Sequence, residues 1–241
     1  MFHWYRLVGR ASPAARVLEP QGVVAVVVPA ARERAVVNSV LYETPDALEA
    51  AYDEAAAAYA EAGANWTVWV QPEGRESACS LLAGRGHVLD AEPTAMARLL
   101  DDTLERPPDD ALGEWTADGD LAEVGPINDR AYPFGTDSFT RSLTSFPGDA
   151  AHTYVARRAG RPVACLMTID SGGNSEVQMV AVVPEARGSG LAGKLLGHAL
   201  VDAAERGNKS STLIATKLGY PVYERLGFRP VGSFQMWERK P

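Results

Sequence analysis

The most constraining stretch of this sequence is a strand, a glycine-rich turn and a helix in direct succession. An apolar run at 177–183 leads through Pro184 into Arg187-Gly188-Ser189-Gly190-Leu191-Ala192-Gly193. Beyond the turn, apolar residues recur at three- and four-residue spacing, which is typical of a helix that packs on one side. Glycine adopts positive φ and allows close backbone approach. The stretch therefore predicts a turn at which the chain meets a ligand.

The end of this turn favours an anion. Unpaired N–H groups and the positive end of the helix dipole lie at a helix start, and phosphate is the usual ligand there. Arg187 adds a cation with forked donors. The sequence therefore predicts that a diphosphate binds to this turn.

Two other interpretations of the turn stay open, a dinucleotide fingerprint and a purely structural turn, and a third, a Walker loop, fails. Gly188, Gly190 and Gly193 have the spacing of a dinucleotide fingerprint. That fingerprint places its first glycine directly at the end of the strand and an acidic residue in the next strand. Here four residues separate the strand from Gly188, and the strand at 212–215 has no acidic residue. A Walker loop would need a closing Gly-Lys-Ser or Gly-Lys-Thr, which the sequence lacks here. The turn also fits a strand-to-helix connection that needs glycine for structure alone.

A second motif, Tyr223-Glu224-Arg225-Leu226-Gly227-Phe228, follows the next predicted strand. The two motifs together resemble the GCN5-related N-acetyltransferase family, whose loop reads Gln/Arg-x-x-Gly-x-Gly/Ala and whose later signature reads Tyr-Glu-x-Leu-Gly-Phe. The resemblance covers roughly residues 112–240. It implies an α/β fold with a mixed, mostly antiparallel twisted sheet flanked by helices.

The resemblance also implies a reaction. An acetyl group would pass from acetyl-CoA, as cosubstrate, to a primary amine of a small molecule or peptide by direct attack in a ternary complex. A bulge would splay the fourth strand from the fifth, and backbone groups of Ala181, Val182 and Val183 would bind the pantetheine arm. The diphosphate would lie on the turn, whose residues in this role are Arg187, Gly188, Ser189, Gly190, Leu191 and Ala192. No metal is expected.

Two residues are candidates for proton transfer by the same resemblance. Tyr223 would protonate the leaving thiolate, and its ordinary pKa near 10 suits a thiol near 8.5. Glu176, four residues before Val180, would serve as the general base that neutralises the amine. For Tyr223, the alternative is a ring that only packs under Phe228. For Glu176, the alternatives are an exposed carboxylate at a strand end without a catalytic role, and a water chain that serves as the base in its place.

The acceptor wall is expected between residues 121 and 145, with Tyr132, Phe134 and Asp137 as candidate substrate contacts. These three residues are carried over from the resemblance.

Residues 1–105 are predicted to form a separate α/β half, followed by a linker at 106–113 and a catalytic domain at 114–241. The first half echoes the second at three places: 27–32 with 182–187, 66–70 with 212–215, and 86–87 with 227–228. The echo indicates a degenerate acetyltransferase-like copy without chemistry of its own. An unrelated α/β cap is the other interpretation.

Composition limits the partners. The net charge of −8 argues against general binding to nucleic acid or to an anionic membrane. The absence of a leader pattern and of a long apolar run, together with two cysteines, favours a cytoplasmic protein. The sequence leaves open a monomer or a homodimer. It also leaves open a second function, a non-catalytic acyl-CoA-binding sensor.

Overall fold

The computed structural model describes residues 1–101, 103–108, 112–117, 119–132 and 136–240. Seven α-helices lie in this part of the chain. They are α1 (Phe2–Val8), α2 (Pro45–Ala62), α3 (Arg75–Gly84), α4 (Val124–Ala131), α5 (Ser138–Ser142), α6 (Leu191–Glu205) and α7 (Tyr220–Arg225).

Thirteen strands lie in the same described ranges. They are β1 (Arg16–Leu18), β2 (Val23–Val27), β3 (Ser39–Tyr42), β4 (Trp66–Val70), β5 (Val88–Ala91), β6 (Thr94–Leu99), β7 (Glu114–Ala117), β8 (His152–Arg158), β9 (Arg161–Ser171), β10 (Asn174–Val182), β11 (Ser210–Ala215), β12 (Arg229–Ser233) and β13 (Gln235–Arg239).

The chain divides into two compact units that are discontinuous in sequence. The first comprises Met1–Pro93, Arg141–Phe146 and Gly232–Pro241, and the second comprises Thr94–Thr140 and Pro147–Val231. Each unit has its own mixed, mostly antiparallel sheet with helices packed against it. The predicted fold class is therefore confirmed.

The first unit is built on a sheet in the order β1-β2-β3-β4-β13-β5. Strands β3 and β4 pair in parallel and are joined by α2, whose start and end follow the sequence signals. The Thr44 side chain accepts a hydrogen bond from the Ala47 N–H (3.2 Å), and Gly63 ends the helix at φ +58°. Tyr59 of α2 stacks on Trp66 of β4 with 4.6 Å between ring centroids. The helix thus covers the sheet with its aromatic face.

The second unit is built on a sheet in the order β12-β6-β11-β10-β9-β8-β7. Strands β7 to β10 pair antiparallel, whereas β10 and β11 pair in parallel and are joined by α6. The hairpin between β8 and β9 turns at Ala159 and Gly160, both at positive φ. Leu195, Leu196 and Leu200 of α6 are fully buried, so the apolar face that the spacing predicts packs into the core.

The unit boundaries differ from the division predicted at residues 105 and 114. Strand β6, before the predicted linker, pairs with β11 along its whole length in the second sheet. Strand β13, at the far end of the chain, lies between β4 and β5 in the first sheet. Each sheet thus contains a strand from the opposite half of the sequence. Local apolar patterns do not specify which sheet a strand joins, because that choice depends on long-range pairing.

The predicted linker is packed in its described part, and residues 109–111 lie outside the described ranges. Arg106 forms ion pairs with Asp202 (2.6 Å) and Glu205 (3.0 Å) of α6. Pro107 lies so close to Gly197 that a Cβ added there would come within 2.5 Å of its Cγ atom. This segment therefore follows the surface of α6.

The two units share one local feature that the echo predicts. The Tyr223 carbonyl accepts the Phe228 N–H (3.1 Å), and the Leu82 carbonyl accepts the His87 N–H (3.0 Å). A glycine at positive φ stands before Phe228 and before His87, and a strand follows each. Leu82 therefore occupies the helix-to-strand position in the first unit that Tyr223 occupies in the second.

One of the three predicted parallels is out of register. The stretch at 27–32 follows β2, which pairs antiparallel with both β1 and β3. The strand that pairs in parallel with β4, as β10 does with β11, is β3. The match of 27–32 with 182–187 is therefore wrong. A short apolar strand that ends in proline is too common a pattern to fix topological equivalence.

The buried side of β6 provides a test of this strand assignment. Met96 is fully buried, whereas Leu99 on the same strand is 70% exposed. We expect Met96→Ala to lower the free energy of unfolding by about 2–5 kcal/mol, because it removes packed atoms from a core. Leu99→Ala should change it by less than about 0.5 kcal/mol. Urea unfolding measures both, and equal losses would contradict the integration of β6 into the core.

Candidate functional site

The central strand of the second unit contains a β-bulge. Gln178 lies opposite Met167 of β9, yet Ala181 lies opposite Cys165, so β10 has one residue more than its partner in this interval. Met179 within the interval has φ +55°, a left-handed value that is uncommon for a residue other than glycine. The bulge predicted from the family resemblance is therefore present.

Strands β10 and β11 separate beyond the first residues of their parallel ladder. Pairing covers Asn174, Ser175 and Glu176 of β10 and ends there, although both strands continue. Val183 donates its N–H to Val163 O of β9 (2.9 Å). Because peptide groups alternate in direction along an antiparallel ladder, the N–H and C=O of Val182 point away from β9 and into the gap.

A cavity of about 670 Å³ opens at this gap. Its wall combines the end of β10, the glycine turn, the start of α6 and helix α7. No Asp or Glu is among the described residues of the wall, which contains three cationic side chains. Nine of the predicted site residues line it: Tyr132, Ala181, Val182, Arg187, Gly188, Gly190, Leu191, Ala192 and Tyr223.

The glycine turn has the backbone conformation that its sequence predicts. Gly188 and Gly190 have φ +78° and +76°, values that residues other than glycine rarely adopt. Gly190 is the N-cap of α6, so the first N–H groups of the helix have no partner within it. The Ser189 hydroxyl donates to Ala186 O (2.6 Å) and thus stabilises the turn itself. The turn therefore ends in a helix start at the cavity wall.

The charged groups of Arg187 and Lys194 lie at different parts of the turn. The Arg187 guanidinium donates to Ala131 O (2.7 Å) and to Val182 O (3.2 Å), which joins the turn to the end of α4 and to β10. Lys194, which sequence reasoning missed, lies over the turn, since a Cβ added to Gly190 would be 3.7 Å from its Cε atom. Its position four residues after Gly190, one helical turn on, is the signal that identifies it.

Tyr223 projects from α7 into the cavity wall and is 9% exposed. Its ring contacts Phe228 edge to face, with 6.2 Å between centroids. A Cβ added to Gly219 would lie 2.8 Å from Cε2 of this ring, so Gly219 leaves the space that the ring fills. Burial, with a smaller contribution from Tyr132, raises the pKa of Tyr223 well above its usual value. Its hydroxyl is therefore protonated at neutral pH.

Tyr132 is the one acceptor-wall candidate found at the cavity among the described residues. Its hydroxyl donates to Val180 O (3.1 Å), a carbonyl on the gap side of β10. Asp137 is exposed and is not among the described residues of the wall. Phe134 lies outside the described residues.

The Glu176 side chain lies on the face of β10 opposite to the Val182 side chain. It is opposite Ile169, and its carboxylate accepts a hydrogen bond from the Gln178 amide (2.8 Å). Gln178 and Ala181 share its face, whereas Val182 points to the opposite face, because the bulge inserts one residue between them. Glu176 is not among the described residues that line the cavity.

Neither the cysteines nor the acidic residues indicate a different chemistry in the described part of the chain. Burial raises the pKa of the Cys165 thiol well above its usual value, which disfavours a nucleophilic thiolate. Within the described ranges, no three His, Cys, Asp or Glu residues are grouped so that they hold a metal ion. No described helix is both long enough and apolar enough to cross a bilayer.

Comparison with known sequences relates this site to a family. Residues 149–230 match the sequence model of the acetyltransferase (GNAT) domain. Over 114 residues, 43% of this chain, the sequence is 33% identical to an uncharacterized N-acetyltransferase from Streptomyces griseus. The match spans 27% of that protein's length.

Solved structures share the fold across both units. A GCN5-related N-acetyltransferase from Kribbella flavida superposes with a TM-score of 0.67 at 18% identity, covering 99% of this chain and 93% of that one. A second, from Sphaerobacter thermophilus, has a TM-score of 0.60 at 21% identity, with coverages of 91% and 81%. A tandem GNAT protein from the clavulanic acid biosynthesis pathway has a TM-score of 0.55 at 14% identity, with coverages of 98% and 93%.

The bulged β10, the glycine turn that starts α6, and Tyr223 all lie within the matched residues. In these residues the chain is therefore similar to the acetyltransferase (GNAT) domain.

Proposed function

We propose that the second unit transfers an acetyl group from acetyl-CoA to a primary amine of a small molecule or peptide, by direct attack in a ternary complex. One observation carries the proposal: a single cavity brings together a splayed strand edge, an anion-binding helix start and a buried tyrosine. These parts suit the three sections of an acyl thioester of CoA, which are its pantetheine arm, its diphosphate and its sulfur.

The diphosphate binds at the start of α6. The unpaired N–H groups of the first helical turn and the helix dipole favour an anion there. Lys194, over Gly190, supplies the charge that accompanies the phosphates. Arg187 holds the turn against Ala131 O, so its contribution is mainly to shape the turn.

The pantetheine arm lies along the gap side of β10. The gap-side carbonyls of Val180 and Val182 accept hydrogen bonds from Tyr132 and Arg187 in the free protein. The arm exchanges some of these bonds for its own amide hydrogen bonds, in the manner of an added strand. The Val182 N–H then faces the thioester carbonyl and stabilises the oxyanion that forms there.

The reaction proceeds from a neutral amine. Its nitrogen lone pair attacks the thioester carbon, the C–S bond breaks from the tetrahedral intermediate, and the sulfur receives the proton of Tyr223. Glu176, on the sheet face opposite Val182, takes the proton of the incoming ammonium, directly or through water. A second amine proton leaves to solvent, and Tyr223 is reprotonated.

Thiol release from acetyl-CoA against a panel of amines, amino acids and peptides tests the proposed function, with CoA-binding calorimetry on the same sample. We expect CoA binding and turnover with one acceptor class. Lys194→Ala should weaken CoA binding roughly tenfold or more, because it removes a charged partner of the phosphates. Binding without turnover on any acceptor would favour the sensor function. A lack of CoA binding would contradict the site itself.

The role of Tyr223 is tested by Tyr223→Phe. We expect kcat to fall on the order of a hundredfold, with CoA affinity unchanged, because only the transferable proton is lost. Since burial raises the pKa of Tyr223, this residue should keep its proton between about pH 6 and 9. Its deprotonation should therefore not lower the wild-type rate over that range. Tyr220→Phe, on the same helix but outside the cavity wall, is the control. A wild-type rate in Tyr223→Phe would end the general-acid assignment.

The importance of the Tyr223 ring position is tested by Gly219→Ala. Gly219 has φ −78°, which alanine adopts freely, so the substitution acts through the added Cβ against the ring. We expect kcat to fall roughly tenfold to a hundredfold, because the hydroxyl is displaced from the sulfur. Gly148→Ala, where no atom lies within 4 Å of the added Cβ, should leave kcat unchanged. Equal rates in the two variants would show that the ring position is not critical.

A further inference from the structure

The bulge in β10 is held by one buried side chain from a neighbouring helix. Asn128 of α4 is 2% exposed. Its amide nitrogen donates to Met179 O (3.2 Å) and to Val124 O (3.0 Å), and it lies 3.3 Å from the Cys165 sulfur. The Cys165 sulfur in turn lies 3.5 Å from Met179 O. The carbonyl at the centre of the bulge is therefore bound from α4 and from β9.

The conformation of Met179 needs such support. A residue with a side chain at φ +55° is strained, and it persists only where the surroundings determine it. The extra residue also leaves a carbonyl without a regular ladder partner. A buried carbonyl without a donor is costly, and the Asn128 amide supplies the donor. Asn128 thus removes one of the two costs of forming the bulge, and the strained φ of Met179 is the other.

The bulge decides which peptide group faces the gap. Since side chains and peptide groups alternate along a strand, loss of one inserted residue reverses every later position. Without the bulge, Ala181 would direct its N–H into the gap and Val182 would pair with β9. The bulge also accompanies the end of pairing with β11, which stops at Glu176. The direction of the Val182 N–H therefore depends on the bulge at Met179, which lies beside the gap.

We propose that Asn128 is a positioning residue of the acyl-donor site, which holds the Met179 bulge and thereby directs the Val182 N–H into the gap. The proposal rests on the proposed function of this cavity. Asn128 touches no reacting atom; it acts through the backbone of β10. A residue that merely filled the core would be indifferent to the backbone conformation of Met179, and this difference makes the role testable.

The test combines Asn128→Leu, Met179→Gly and the double variant. Leucine has the branched shape of asparagine, with methyl groups in place of the amide atoms and so no donor, and Asn128→Leu should weaken CoA binding and lower kcat/KM, each about tenfold. Glycine adopts positive φ without strain, so Met179→Gly alone should change binding less than about twofold. In the double variant glycine favours the bulge without the amide, and most of the lost affinity should return. Asn128→Ala, which leaves space for a water molecule, replaces Asn128→Leu if the latter does not fold.

The readouts are CoA-binding calorimetry and hydrogen exchange of residues 177–183 in the free protein. Unchanged affinity in the Asn128 variant would overturn the inference, and so would an equal loss in the double variant, since core packing alone predicts no rescue. Exchange that rises in the Asn128 variant and falls again in the double variant supports it without reference to any ligand. Failure of wild-type protein to bind CoA would instead remove the proposed function, and the inference with it.

Discussion

The second unit depends on a parallel ladder that is formed at one end and absent at the other. Strands β10 and β11 pair through Glu176, and beyond this residue β10 keeps only its partner β9, in the stretch that contains the bulge at Met179. An open strand edge inside a protein exposes peptide groups that need hydrogen-bond partners. In the free protein Tyr132 and Arg187 supply two of them, at Val180 O and Val182 O. The same groups suit an extended ligand that binds as an added strand.

The charged side chains among the described residues of the cavity wall are all cationic. The wall contains Arg187, Lys194 and Arg225 but no carboxylate among the described residues, and it ends at the positive end of α6. In a chain with a net charge of −8, the described part of this wall is therefore cationic. Glu176 is not among the described residues of this wall, although Ala181, which shares its face of β10, lines the cavity.

The helix that carries Tyr223 is tied to a strand from the other half of the sequence. Arg98 of β6 donates a hydrogen bond to Leu226 O, directly after the end of α7. Strand β6 itself lies between β11 and β12. The exchanged strand thus contributes to the core and to the position of α7. A domain cut at the predicted linker would lack both contributions.

Sequence by itself determined the local elements. The Thr44 cap, the turn at Ala159 and Gly160, the glycine turn before α6 and the placement of Tyr223 follow from residue types at fixed spacing, because short-range geometry governs them. Only the tertiary structure decided the exchange of β6 and β13 and the support of Met179 by Asn128. These features join residues that are distant in sequence or that carry no motif. Hydrogen bonding between strands and burial of a polar side chain are set by the folded chain as a whole, and no local pattern encodes them.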